Sequence, residues 1–236
     1  DLSLADYSFV GRYNDDRVGH SVSSAGDVDG DGLDDILVGA NHVDEGYSNA
    51  GKTYLILGAS LGSTAEIDLS LADYSFVGEN AADISGHSVS SAGDVDGDGL
   101  DDLLVGAYYN DDGGSNAGKA YLILGASLGS TAEIDLSLAD YSFVGEGAAD
   151  NAGYSVSSAG DVDGDGLDDI LVGAYGNDDG GSYAGKTYLI LGTSLGSTSE
   201  IDLSLADFSF VGETDLDRAG TVSSAGDVDG DGLDDI

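Results

Sequence analysis

The 236-residue chain has no cysteine, methionine, tryptophan or proline, and only six of its residues are basic. Without cysteine there are no disulfides, no thiol catalysis and no cysteine-ligated zinc. The sequence contains no apolar run of the roughly 18 residues that a membrane-spanning helix needs. Its N-terminus also lacks the basic-then-apolar pattern of a signal peptide, so a secreted form is expected to be a mature fragment. Helix signals are weak. Against the six bases stand 46 acids, for a formal charge of −40. Such an excess usually marks disorder, yet 41% of the residues are hydrophobic and their arrangement is ordered. The acids gather in Gly-rich clusters between β-prone runs such as Asp35-Ile36-Leu37-Val38-Gly39 and Tyr54-Leu55-Ile56-Leu57. Charge of this size repels itself, nucleic acid and anionic membranes, and leaves inorganic cations as the natural partners.

The sequence repeats with a period of about 67 residues. The segment Asp1 to Gly11 returns at Asp68 to Gly78, at Asp135 to Gly145 and at Asp202 to Gly212, the last with Phe208 in place of tyrosine. Ser23-Ser24-Ala25-Gly26-Asp27 returns at Ser90, Ser157 and Ser223. Each period reads as four strands separated by Gly, Asn and Asp clusters. In the first copy they span about His20 to Val28, Asp35 to Ala40, Lys52 to Leu57 and Ala72 to Val77. Within Gly58 to Glu66 there is room for one helical turn, and Gly62 argues against more.

Four strands per repeat indicate an all-β fold of β-propeller blades, with a linear β-array as the rival. The second strand is apolar at consecutive positions, which suits a strand buried on both faces. The expected division is a partial blade at residues 1–11, holding only a fourth strand, then blades at 12–78, 79–145 and 146–212. A partial blade at 213–236 holds a first strand and its loop. Three blades do not close a ring of 4 to 8, so other copies of the chain or the rest of a larger one are expected to complete it.

Each repeat carries Asp-Val-Asp-Gly-Asp-Gly-Leu-Asp-Asp. Carboxylates at positions 1, 3, 5 and 9, with glycines at 4 and 6, let a tight loop wrap oxygens around one ion. Calcium, which takes 6 to 8 oxygens in flexible geometry, fits better than magnesium. The expected ligands are Asp27, Asp29, Asp31 and Asp35 with the carbonyl of Leu33. They recur as Asp94, Asp96, Asp98, Asp102 and Leu100; as Asp161, Asp163, Asp165, Asp169 and Leu167; and as Asp227, Asp229, Asp231, Asp235 and Leu233. Gly32 is expected at positive φ, and Asp34 is expected to point outward. An EF-hand is excluded, because position 12 is Val38, Val105 or Val172 where an acid is needed, and because strands flank the loop. The fourth loop ends beside Ile236 without a following strand, so three secure sites and one weaker site are expected.

These loops, with Phe9-Val10-Gly11 and Gly39-Ala40, resemble the FG-GAP repeats of the integrin α-chain propeller, especially bacterial secreted versions, over essentially the whole chain. The resemblance implies a propeller fold, an extracellular or cell-surface setting and structural calcium. Integrins have seven repeats and act with a β subunit. Here Asn41, Tyr108 or Tyr175 replaces the usual proline after Gly-Ala and no Arg-Gly-Asp occurs, so ligand recognition does not carry over.

Other features are assigned more simply. The loops at 41–51, 110–118 and 177–185, with Asp44-Glu45, Asn110-Asp111-Asp112 and Asn177-Asp178-Asp179, read as solvated polar loops rather than second cation sites. His20 and His87 stand beside Ser21 and Ser88, but no Gly-x-Ser-x-Gly elbow exists and Tyr154 takes the third position, against a hydrolase. The recurrent Tyr7, Tyr74, Tyr141 and Phe208, each beside a Phe, are expected to pack between blades. The expected function is therefore a non-enzymatic, extracellular calcium-binding propeller with a structural or adhesive role. A protein or glycan ligand is compatible with it. The alternatives are a self-assembling structural element and a non-catalytic module of a larger secreted enzyme.

Overall fold

The computed structural model describes residues 5–13, 15–45, 47–62 and 65–236. The expected features that fall on Asp1 to Leu4, Asn14, Gly46, Ser63 and Thr64 lie outside the described residues. Sixteen strands follow in chain order: β1 (Ser8–Val10), β2 (Val18–Gly26), β3 (Asp35–Ala40), β4 (Lys52–Ile56), β5 (Glu66–Asp68), β6 (Tyr74–Val77), β7 (Ser88–Gly93), β8 (Asp102–Ala107), β9 (Lys119–Ile123), β10 (Glu133–Asp135), β11 (Tyr141–Val144), β12 (Ala152–Gly160), β13 (Asp169–Ala174), β14 (Lys186–Ile190), β15 (Glu200–Asp202) and β16 (Phe208–Val211). No helix among the described residues is long and apolar enough to cross a membrane.

Three antiparallel sheets, β2-β3-β4-β6, β7-β8-β9-β11 and β12-β13-β14-β16, are the blades of a propeller-type fold and do not close a ring. The four expected strands form, with small shifts at their ends. β2 stops at Gly26 because the Val28 N–H turns to the Asp35 side chain at 3.0 Å. β6 starts two residues late because Ala72 caps a 3-10 turn at Leu69–Leu71. The expected helical turn is a single 3-10 turn at Gly58–Ser60.

The first two blades each gain a strand beyond the expected four. β10 runs parallel to β6, pairing Ile134 with Phe76, and β15 runs parallel to β11, pairing Ile201 with Phe143. β1 pairs with β5 in the same way. The chain therefore straps the outer edge of one blade before it builds the outer edge of the next. Tyr74 and Tyr141 tighten the strap by donating their hydroxyls to the carbonyls of Gly129 and Gly196 at 3.0 and 2.9 Å.

The expected first strand near the C-terminus does not form a ladder. Among the described residues of 213–236 the only pairing is the bridge Gly226 to Asp235. Val222 and Ser224 still lie along β12, where Ser155 Oγ accepts the Val222 N–H at 3.2 Å and the Ala159 carbonyl accepts the Ser224 hydroxyl at 3.4 Å. A strand needs a partner, and the counterparts of Leu37–Ala40 are absent from these 236 residues.

The core lies between blades. In β3, Leu37 faces the second blade with Leu55 and Phe76, and meets Val89, Leu103, Val105 and Tyr121. Val38, Tyr54 and Ile56 face the other way. Leu104, Leu122 and Phe143 repeat the pattern against Val156, Ile170, Val172 and Tyr188. Consecutive apolar residues in the second strand thus serve two interfaces, as the pleat dictates. Of the aromatics expected between blades, Tyr74 and Tyr141 pack half-buried against the cores, whereas Tyr7 and Phe208 are exposed. It is the neighbouring Phe76 and Phe143 that are fully buried, both 0% exposed, while Phe210 is 48% exposed. Replacing Phe143 by alanine is expected to cost about 3–5 kcal/mol in denaturant unfolding, whereas the same change at Phe210 should cost below about 1 kcal/mol.

Candidate metal centre

The turn from first to second strand is built on its own carboxylates. Asp27 accepts the N–H of Asp31 on Oδ1 at 3.0 Å and that of Gly32 on Oδ2 at 2.9 Å, folding the loop over its first residue. Both glycines take left-handed backbone, with φ of +75° at Gly30 and +87° at Gly32, so the expected conformation of Gly32 extends to Gly30. Asp35 lies 1% exposed at the start of β3. Its two oxygens accept the N–H of Val28 at 3.0 Å and of Gly58 at 2.7 Å, which ties the loop to the end of the third strand.

These contacts place one oxygen each from Asp27, Asp29 and Asp35 within 4.8 Å of one another. Asp94, Asp96 and Asp102 do the same, as do Asp161, Asp163 and Asp169, and Asp227, Asp229 and Asp235. Asp31, Asp98, Asp165 and Asp231 stand outside these triads; each accepts the N–H of the leucine two residues on, at 2.8 to 2.9 Å. Position 12 is confirmed as core, with Val38 only 2% exposed.

The electrostatics ask for a cation. Burial pushes the Asp102 carboxyl up to about 7, against the hydrogen bonds from Gly125 and Val95 that favour its charge. Asp35 and Asp169 are raised by the same cause. Three carboxylate oxygens this close, one of them buried, are mutually repulsive unless protonated or neutralised. An all-oxygen donor set on a flexible Gly loop fits a hard divalent ion such as calcium. The fourth loop keeps the fold of the others, with Asp235 Oδ2 accepting from Val228 at 2.9 Å. Asp235 is more exposed than its counterparts and lacks the bond from the third strand.

The polar loops after the second strand are organised around a cation of the protein's own. Lys119 places its ammonium 2.7 Å from Asp112, 3.1 Å from Glu79 and 3.6 Å from Glu200 of the next strap. Lys186 meets Asp179 and Glu146, each at 2.8 Å, and Lys52 meets Glu45 and Glu133 at 2.6 and 2.9 Å. Three of the six basic residues thus occupy one repeat position, each nearly buried and with its ammonium over a tyrosine ring. Burial alone would lower the Lys119 ammonium, but its bonds to Asp112 and Glu79 outweigh this and raise it. Glu79 also accepts the Tyr121 hydroxyl at 2.7 Å and an Asn110 N–H at 2.9 Å. A regularly spaced lysine in a strand was the signal that could have revealed this network.

His20 and His87 join a cluster of aromatic rings. The His87 ring packs at a tilt 4.7 Å from His20, 4.4 Å from Tyr108 and 4.8 Å from Tyr154. It lies at the end of the first strand away from Asp94, and burial pushes it down to about 4.

Fold and site together define a repeat protein of propeller blades with one acidic, cation-type loop per blade. The chain is an FG-GAP repeat protein of the integrin α type. The FG-GAP repeat family matches at residues 18–56, 85–123 and 152–190. Integrin alpha-PS2 of Drosophila melanogaster is 33% identical over 179 residues, 73% of this chain and 12% of the relative. Integrin alpha-5 of Xenopus laevis is 30% identical over 195 residues, 80% and 18% respectively, and human integrin alpha-IIb is 34% identical over 167 residues, 67% and 15%. The chain spans less than a fifth of the length of these relatives.

Two outcomes follow. Because the raised carboxyls hold protons in the native state that the unfolded chain has released, calcium-free protein should lose stability as pH rises from about 4 to about 7. Saturating calcium should reverse that slope, since protons and metal compete for the same oxygens; melting temperatures in EGTA and in calcium across that window measure both. Replacing Lys119 by alanine should cost about 3 kcal/mol in chemical unfolding, because Glu79 then stays nearly buried without its counter-ion.

Proposed function

We propose that the chain is an extracellular, non-catalytic propeller module whose loops each bind one calcium ion, and that the ions rigidify the blades of a structural or adhesive surface. The observation that carries this reading is the recurrence of three carboxylate oxygens within 4.8 Å in all four loops, with the third carboxylate buried in the three complete blades. The kinship with integrin α chains supports divalent cations and the adhesive setting. Asp27, Asp29 and Asp35 and their counterparts would hold the ion; Asp31, Asp98, Asp165 and Asp231, with the carbonyls of Leu33, Leu100, Leu167 and Leu233, would complete its oxygen shell. Bound calcium supplies charge neutralisation and a crosslink between the first and second strands. Four ions would still leave a charge of about −32, so most of the acidity faces solvent and a saline medium would screen it.

Calorimetric titration should find three tighter calcium sites and a fourth weaker one at Asp227 to Asp235. Chelation should lower the melting temperature by at least about 10 °C, since ligands that bind only the native state stabilise it by mass action. Replacing Asp96 and Asp102 together by asparagine should remove one site and spare the others. A melting temperature indifferent to EGTA, with no heat of calcium binding, would overturn the reading.

A further inference from the structure

Each loop also grips the loop before it. Asp101 donates its backbone N–H to the Asp27 carbonyl at 3.1 Å, and its Oδ2 accepts the Asp27 N–H at 2.8 Å. Asp168 holds Asp94 in the same two ways at 3.0 and 2.8 Å. Asp234 holds Asp161, with both distances 3.1 Å. The approach is so close that a side chain on Gly26, Gly93 or Gly160 would overlap the incoming carboxylate. One residue earlier, Leu100, Leu167 and Leu233 lie over Gly30, Gly97 and Gly164 of the preceding loop, with Cδ2 only 2.9 to 3.0 Å from where a Cβ would stand. The outward orientation expected of Asp34 holds for that residue, which is exposed, but its counterparts Asp101, Asp168 and Asp234 turn onto the neighbouring blade.

The residue so gripped is position 1, the carboxylate over which its loop folds. The gripping residue is bonded directly to position 9, the buried carboxylate of its own loop. Adjacent residues of one chain segment therefore complete one triad and fix the first member of another. We propose that Asp101, Asp168 and Asp234 are positioning residues that couple the calcium loops in series, so that an ion ordering one loop also orders the first ligand of the loop before it. The inference rests on the calcium reading above. Linkage makes the coupling mutual, so filling either loop of a pair raises the affinity of the other. The sites then load cooperatively along the blades, and the ions stiffen the contacts between blades as well as the turns within them.

The test is a calcium titration of the full chain followed by NMR at the position-6 amides of Gly32, Gly99, Gly166 and Gly232, which report each loop separately. Asp168→Ala should raise the calcium midpoint at Gly99 by about tenfold and that at Gly166, in its own loop, by much less. Asp168→Asn, whose amide oxygen still accepts the Asp94 N–H, should restore most of the Gly99 midpoint. Asp101→Ala should act alike on Gly32, a second junction should either variant fold poorly. An unchanged Gly99 midpoint, whatever happens at Gly166, or failure of the asparagine variant to rescue the Gly99 midpoint would overturn the coupling. Absence of calcium-induced shifts at all four glycines of the unsubstituted chain would instead sink the calcium reading itself.

Discussion

At the turn between the first and second strands, the fold carries a carboxylate into its apolar interior. Asp35, Asp102 and Asp169 are essentially without exposed surface, and each tethers two main-chain amides from separate parts of its blade. That tether sets where the loop ends, where the second strand begins and where the third strand stops. It also concentrates negative charge that is costly to bury unless a proton or a cation offsets it. Stability of the blade therefore depends on how the charge of this loop is offset.

The second constraint is that no blade buries itself. Leu37 and Val38, adjacent in one strand, belong to different apolar interfaces, so each sheet is complete only between two others, as expected of repeat architectures. The parallel straps at Glu133–Asp135 and Glu200–Asp202 extend the same logic to the backbone by pairing the edge that a lone blade would expose. Lys52, Lys119 and Lys186 extend it to charge. Each gathers acids from its own blade, and Lys52 and Lys119 add one from the following strap. A chain this acidic spends half of its bases on these junctions.

Much of this was legible in the sequence. The period, the four strands of a blade, the exclusion of an EF-hand and the clustering of positions 1, 3 and 9 follow from spacing and alternation, since those patterns act within a dozen residues. The three-residue straps were not legible, because a segment as short as Glu133-Ile134-Asp135 carries no periodicity and its partner, around Phe76, lies far away in the preceding repeat. The lysine cages were hidden in a strand that reads as plain β-structure. The last segment reads as a strand by alternation alone, yet a strand also needs a neighbour to pair with.

The sequence by itself determined the unit: a β-blade with a crowded acidic turn, specified by local alternation, glycine placement and carboxylate spacing. Only the tertiary structure decided how units meet. Asp34 and Asp101 are the same residue in the same motif, and in a one-dimensional reading both are spare carboxylates. One faces solvent and the other pins the first carboxylate of a neighbouring loop, because a hydrogen bond depends on which main-chain amide the packing of blades brings within 3 Å.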